Sequence, residues 1–235
     1  MSADRHIVAC GGMSDEHGDV LEGYVLELTG KERPRVCLIP TATGDSRQRI
    51  VRFYDFFGTR ADAMHLELFD RTVDDLRALL LAQDVIQVAG GNTANMLAVW
   101  RVHGIDAILR EAWDAGIVLT GTSAGAICWF EACVTDSFGG TDALDDGLGF
   151  LAGSMCPHYE SEPNRRPVFQ RLVGEGFPAG YAVEDDVALH FAGTELHAAI
   201  SPREGGRAFR IERVDGEVRE TELDITRLSR DSPSL

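Results

Sequence analysis

Ile117-Val118-Leu119-Thr120-Gly121-Thr122-Ser123-Ala124-Gly125-Ala126 is the stretch on which the reading of this chain turns. A short apolar run, Ile117 to Leu119, enters Gly121-Thr122-Ser123-Ala124-Gly125, and a helix-like segment then reaches Phe130. The order is strand, sharp turn, helix, with a serine at the apex. Such a turn strains the serine backbone and lifts its hydroxyl above the sheet edge. Small neighbours let the chain turn tightly and let a substrate come close. The amide of Ala124, opening the next helix, points toward an oxyanion formed at the serine. The functional reading is a nucleophilic serine. An ordinary glycine-rich turn or a phosphate cradle fits the same five residues, so a base and an acid are needed to choose between them.

Upstream, the pattern alternates between strand and helix. His6 to Cys10 is an apolar strand ending in Gly11-Gly12, and Leu21, Tyr24, Val25 and Leu28 recur at helical spacing before Gly30. Val36 to Ile39 is a second strand closed by Pro40, and Ile50, Phe53, Phe56 and Phe57 mark a helix ended by Gly58. Met64 to Phe69 reads as a strand and Val73 to Ala82 as a helix. Asp84 to Val88 is a further strand, followed by Gly90-Gly91-Asn92-Thr93, a helix to Trp100 and another over Ile105 to Ala115. This alternation implies a mainly parallel sheet covered on both faces. The loops Gly11-Gly12, Thr41 to Gly44, Gly90-Gly91 and Gly121 to Gly125 are then expected on one edge, where open α/β sheets bind ligands.

After about residue 134 the pattern loosens and turns strand-rich: Val187 to Phe191, Leu196 to Ile200 and Ala208 to Val214, with Asp215-Gly216 as a hairpin turn. No repeat, low-complexity block or linker interrupts the chain. The expectation is one domain over residues 1–235, with 230–235 a frayed tail.

The chain has 235 residues, 44% of them hydrophobic, and a net charge of −16 from 38 acidic and 22 basic residues. That charge argues against nucleic-acid and anionic-membrane partners, which need a basic surface. No apolar run of about 20 residues exists, and the polar start Met1 to His6 lacks a signal-peptide core. Cys10, Cys37, Cys128, Cys133 and Cys156 are scattered without a CxxC spacing, so reduced core thiols and a cytoplasmic location are expected.

None of the seven histidines belongs to a compact metal-binding pattern. His158 has the best context for a base, because Met155-Cys156-Pro157-His158-Tyr159 carries a proline that fixes an extended backbone. His190 and His197 sit in an apparent strand pair, as core or surface residues. The acid candidates are Glu184, Asp185 and Asp186, just before a strand, and Asp136, close after the serine segment; a solvated acidic loop is the plainer reading of the first three.

Gly90-Gly91-Asn92-Thr93, Gly121 to Ala126 and Pro157-His158-Tyr159, in this order and spacing, resemble the peptidase E (aspartyl dipeptidase) and cyanophycinase family of serine peptidases. The similarity extends from the first strand to about residue 200. It implies a three-layer α/β/α sandwich with a mainly parallel sheet, similar to class I glutamine amidotransferase domains. It also implies Ser123 as nucleophile, His158 as general base and then acid, and the amides of Gly91 and Ala124 as oxyanion hole. Gly90 and Asn92 would border the substrate. The third catalytic member in the family is a carboxylate, usually glutamate. Here the apolar pair Ala188-Leu189 puts Asp185 in register, although Glu184 has the usual side chain, and Asp136 matches a supporting acidic position. Arg165 aligns with an arginine that binds an aspartyl carboxylate in relatives; a surface arginine at a helix start has equal weight.

The resemblance thus implies a serine exopeptidase or dipeptidase acting on short peptides through an acyl-enzyme, with no metal or organic cofactor, as a homodimer. Three other readings stand beside it. One is cyanophycinase-like cleavage of β-aspartyl-arginine polymer. Another is an α/β-hydrolase esterase using His190 or His197, and the last is a non-catalytic binding protein of the same fold.

Overall fold

Five short strands form the parallel part of the sheet; the four inner ones are mainly apolar, because each must be covered on both faces, and the fifth is an edge strand. In this computed structural model, which describes residues 5–229, the five are β1 (His6–Cys10), β2 (Arg35–Ile39), β3 (Asp62–His65), β4 (Val85–Val88) and β5 (Val118–Thr122). With β10 (Ala188–Ala192), β11 (Glu195–Ser201) and β14 (Ile225–Arg227) they build an eight-stranded sheet of order β14-β11-β10-β1-β5-β4-β2-β3. β10 runs antiparallel to both β1 and β11.

Side chains alternate across this sheet with the strand period of two. Val8, Cys10, Val36, Leu38, Val85 and Val118 pack under α1 (Gly18–Glu27) and α2 (Arg47–Phe57). Ile7, Ala9, Cys37, Ile39, Ile86, Val88 and Leu119 pack on the opposite face under α3 (Leu76–Leu81), α4 (Thr93–His103) and α5 (Ile105–Asp114). Helices therefore cover both faces, giving the three layers expected.

A second sheet was not anticipated as a separate unit. It contains β6 (Phe130–Thr135), β7 (Asp142–Leu144), β8 (Leu151–Cys156), β9 (Gly180–Val183), β12 (Ala208–Val214) and β13 (Glu217–Glu222), in the order β13-β12-β9-β8-β6-β7. Its inner side chains Phe130, Cys133, Met155 and Val183 join the core of the first sheet. Its outer side chains Val134, Cys156, Ala182 and Phe209 pack against Phe169, Leu172 and Val173 of α7 (Arg165–Gly174).

Several boundaries differ from the expectation, each for a visible reason. The helix after Ser123 does not reach Phe130: α6 covers only Ala124–Ile127. The carbonyls of Cys128, Trp129 and Phe130 instead accept from the amides of Leu148, Phe150 and Gly149, which starts β6 four residues earlier than the strand-rich region was placed. β3 ends at His65 because the amides of Leu68 and Phe69 donate to the Asp45 carboxylate, at 2.7 and 2.8 Å. α3 starts only at Leu76, after Asp75 caps it by accepting from the Ala78 amide. The Asp215-Gly216 hairpin is as expected, with φ of 53° and 89°, the positive pair that a two-residue type I′ turn needs. The proposed tail at 230–235 lies outside the described residues. All five cysteines are buried and free of disulfides, and no helix among the described residues is long and apolar enough to cross a membrane.

Candidate active site

β1 and β5 lie side by side and parallel, with Cys10 opposite Thr122. Their ends, with those of β2 and β4, open on one edge. Ser123 continues the ladder, its amide donating to the Cys10 carbonyl at 3.0 Å. There the chain must reverse into α6 within one residue, and Ser123 takes φ 53° and ψ −115°. That conformation is strained for a residue with a Cβ and is held only when the surroundings over-determine it. Two glycines make the turn possible. A Cβ on Gly121 would lie 2.0 Å from the Gly125 carbonyl oxygen, and one on Gly125 would lie 2.3 Å from that of Val88.

The partners of Ser123 come from the second sheet. β8 and β9 are parallel, with Cys156 opposite Ala182, so their following residues emerge together. His158 follows β8 and Asp185 follows β9. The imidazole Nε2 lies 2.8 Å from Ser123 Oγ, and Nδ1 lies 2.6 Å from Asp185 Oδ1. The hydrogen bond from His158 holds Asp185 below the usual carboxylate range, against the opposing pull of partial burial; the Ser161 hydroxyl adds to it. The two sheets are locked here: Asp185 bridges to Gly12, and the Asp186 amide donates to the Gly12 carbonyl at 2.9 Å.

The other acid candidates are engaged elsewhere. Glu184 is 3% exposed; it accepts from Arg203 and, at 3.0 Å, from Arg207 Nε. Asp136 is largely exposed and sits 3.7 Å from Arg165. Asp186 accepts from the Ser14 amide at 2.7 Å and so fixes the segment after Gly12.

Two residues expected to contact substrate have other partners in the structure. Arg165 is 2% exposed, and its guanidinium donates to the Val134 carbonyl and to Glu162; these contacts anchor α7 and leave it off the cleft. Asn92 caps α4 by accepting from the Asn95 amide at 2.9 Å, and its Nδ2 donates to the Ser137 carbonyl. Gly90 and Gly91 do border the cleft. Gly91 has φ 144°, and a Cβ there would meet the Ala42 carbonyl oxygen at 2.2 Å. Among the described residues no group of three or more His, Cys, Asp and Glu side chains is placed to share a metal ion.

Ser123 and His158 open into a cleft of about 690 Å³ between α1, α2 and the sheet edge. Its walls include Glu22 and Gln87, neither expected there from the sequence. The signals were present: Gln87 is polar within the buried strand Val85 to Val88, and Glu22 adjoins the apolar stripe of α1.

His190, one of the two histidines an esterase arrangement was expected to use, lies opposite Val8 in mid-strand. It contacts the Tyr24 hydroxyl at 2.8 Å and His6 at 2.9 Å, well inside the sheet rather than at the serine. Burial, then the nearby His6 and His197, pushes its pKa from 6.5 down to about 4. The fold thus favours neutral imidazole. The stability this contributes is complete above about pH 6.5 and drains away as pH falls toward 4, by an expected loss on the order of 2 kcal/mol after allowing for screening. Denaturant unfolding at several pH values will register it. His190→Gln, whose carboxamide can still meet Tyr24, should flatten that slope; an unchanged slope would refute the assignment.

By fold this is a three-layer α/β/α protein with a serine at a strand-end turn. The sequence profile of peptidase family S51 matches residues 7–199. The uncharacterized peptidase YgaJ of Bacillus subtilis (strain 168) is 46% identical over 227 residues, covering 94% of this chain and 98% of that protein. The uncharacterized peptidase Lmo0363 of Listeria monocytogenes serovar 1/2a is 27% identical, over 68% of this chain and 83% of its own. A crystal structure of a peptidase from an acI-B1 Actinobacterium shares the fold with a TM-score of 0.67 at 16% identity, covering 97% and 98% of the two chains. One from Listeria monocytogenes EGD-e, named as a candidate peptidase E, has a TM-score of 0.61 at 21% identity, covering 86% of this chain and all of its own. The chain belongs to peptidase family S51, and by that membership it is a peptidase.

Proposed function

We propose that the chain is a serine exopeptidase that hydrolyses short peptides through an acyl-enzyme. The observation that carries this reading is the hydrogen-bonded series Ser123 Oγ, His158, Asp185, with distances of 2.8 and 2.6 Å. His158 takes the serine proton as Ser123 attacks the scissile carbonyl, then passes it to the leaving amine. Asp185 holds the imidazole with Nδ1 protonated and stabilises the imidazolium. The amides of Gly91 and Ala124 hold the oxyanion. Water then attacks the acyl-enzyme, with His158 again as base, and frees Ser123. The cleft of about 690 Å³ suits a di- or tripeptide. The burial of Arg165 removes the main ground for an aspartyl preference. Homodimeric assembly and a cytoplasmic setting remain part of this proposal, the former checked by light scattering.

The test is hydrolysis of Asp-X dipeptides, other dipeptides, N-blocked and C-blocked tripeptides and a simple ester, by wild type and Ser123→Ala. Serine-dependent cleavage of free peptides supports the proposal, and the block that stops it gives the direction of attack. Cleavage of the ester alone would favour an esterase. The acid is separated by a second comparison. Asp185→Asn should lower kcat by about 10²–10⁴-fold with stability little changed. Glu184→Gln should leave kcat within about tenfold but lower stability by about 1–3 kcal/mol, since it weakens hydrogen bonds to two arginines. The opposite pattern would make Glu184 the acid.

A further inference from the structure

We propose that Glu22 and Gln87 form a subsite in the serine-bearing cleft for a primary ammonium group of the substrate. The inference rests on the peptidase reading for the word substrate, but its geometry stands apart from the serine and its partners.

Glu22 is the unusual residue. It lies on α1 and lines the same cleft as Ser123 and His158. Among the described residues its only hydrogen bond comes from Gln87 Nε2, at 3.0 Å, and no lysine, arginine or histidine is bonded to it. Glu22 is partly buried, and a carboxylate drawn even partly out of water is ordinarily paired, because an isolated one is costly. Here burial pushes the group up to about 7, opposed by the Gln87 hydrogen bond and by the more distant Arg60 and Arg49, while Asp19 adds to the rise. Near neutral pH the group is poised to ionise when a cation arrives.

Gln87 supplies the second, independent observation. In β4 it sits opposite Leu38 and Thr120, on the face where Val85 and Val118 pack under the helices. Its Nε2 is spent on Glu22, and its Oε1 is buried without any hydrogen-bond partner. A buried acceptor left unsatisfied costs about 1–3 kcal/mol. An ammonium has three donors and no acceptor. It could give one to the Glu22 carboxylate and, once the Gln87 carboxamide turns its covered Oε1 toward the cleft, one to that oxygen, satisfying both residues at once. Of the three arginines lining the cleft, Arg52 is paired with Asp15, Arg60 donates to the Phe56 carbonyl and lies 4.1 Å over the Phe56 ring, and Arg49 makes no hydrogen bond or ion pair with Glu22.

Either a peptide's amino terminus or a lysine side chain carries this chemistry, so the test separates them. Four probes are titrated calorimetrically, at about pH 7.5, into Ser123→Ala, which retains the cleft: Ala-Ala-Ala, its N-acetyl form, N-acetyl-Ala-Lys-Ala and N-acetyl-Ala-norleucyl-Ala. The expected result is that an ammonium-bearing probe binds about tenfold or more tightly than its neutral counterpart. Adding Glu22→Gln should abolish that preference and leave the neutral probe's affinity unchanged. The first pair identifies an amino terminus, the second a lysine. Glu22→Gln removes a partly buried charge and keeps its size, so it should melt at or above its parent, which guards against misfolding. Equal affinity within both pairs, a preference that survives Glu22→Gln, or no binding by any probe would overturn the subsite. Hydrolysis that proves independent of Ser123 while the ammonium preference holds would overturn the peptidase mechanism instead.

Discussion

Ser123→Ala should lower kcat by about 10⁴-fold or more on every peptide the wild type cleaves, with KM and melting temperature nearly unchanged. The kinetic effect is large because the hydroxyl is the only atom lost and, in the proposed mechanism, forms the covalent bond. The stability effect is small for a structural reason. Alanine at φ 53° carries the same Cβ as serine and so the same strain. His158 loses a neighbour at 2.8 Å, but its side chain is 22% exposed, so water can replace the contact. His158→Ala should cost a similar factor, and the double variant little more, because residues acting as a unit are strongly non-additive. Single-turnover assays of the three variants measure this. Activity within about tenfold of wild type in Ser123→Ala would end the serine mechanism.

Gly12→Ala should lower kcat by about 10²–10³-fold although Gly12 bears no reacting group. A Cβ at this position would lie 1.8 Å from Asp185 Oδ1 and 2.8 Å from His158 Nδ1, inside the hydrogen bond that joins them. The backbone cannot retreat easily, because Gly12 is bridged to Asp185 and its carbonyl accepts from the Asp186 amide. The carboxylate must swing away, leaving the imidazole without its orienting partner. Overpacking of this kind should also cost about 1–3 kcal/mol of stability, so the assay belongs well below the melting temperature, with folding checked by circular dichroism. Gly23→Ala is the matched control: it lies in α1 with nothing within 4 Å of an added Cβ, and a stability gain of about 0.5–1 kcal/mol is expected. A folded Gly12→Ala protein with wild-type kcat would mean that the Asp185–His158 contact does not matter to the chemistry.

Much of this site was legible in the residues. The spacing of Gly121, Ser123 and Gly125 describes a turn whose geometry is set by contiguous atoms, and the structure puts Ser123 at its apex. Pro157-His158 marked the histidine that stands beside it. The acid was not resolved at this level, because Glu184, Asp185 and Asp186 are consecutive and chemically alike. Their fates diverge in space: Glu184 meets Arg203 and Arg207, Asp185 meets His158, and Asp186 meets Ser14. Arg165 misled for a related reason. Its place after the histidine motif suited substrate binding, but α7 packs it inward against the Val134 carbonyl.

The sequence by itself determined the alternation of strand and helix from His6 to Leu119, the parallel sheet it implies, and the serine turn at that sheet's edge. Those features follow from hydrophobic period, capping and glycine sterics, which act over a few residues. Only the tertiary structure decided that a second sheet begins at Phe130, that Asp185 rather than its neighbours reaches His158, and that Glu22 and Gln87 face the cleft. These depend on strand register and on contacts such as Gly12 with Asp185. Residues so far apart in the chain meet only when whole sheets pack, and no local pattern encodes which side chain then fills the space between them.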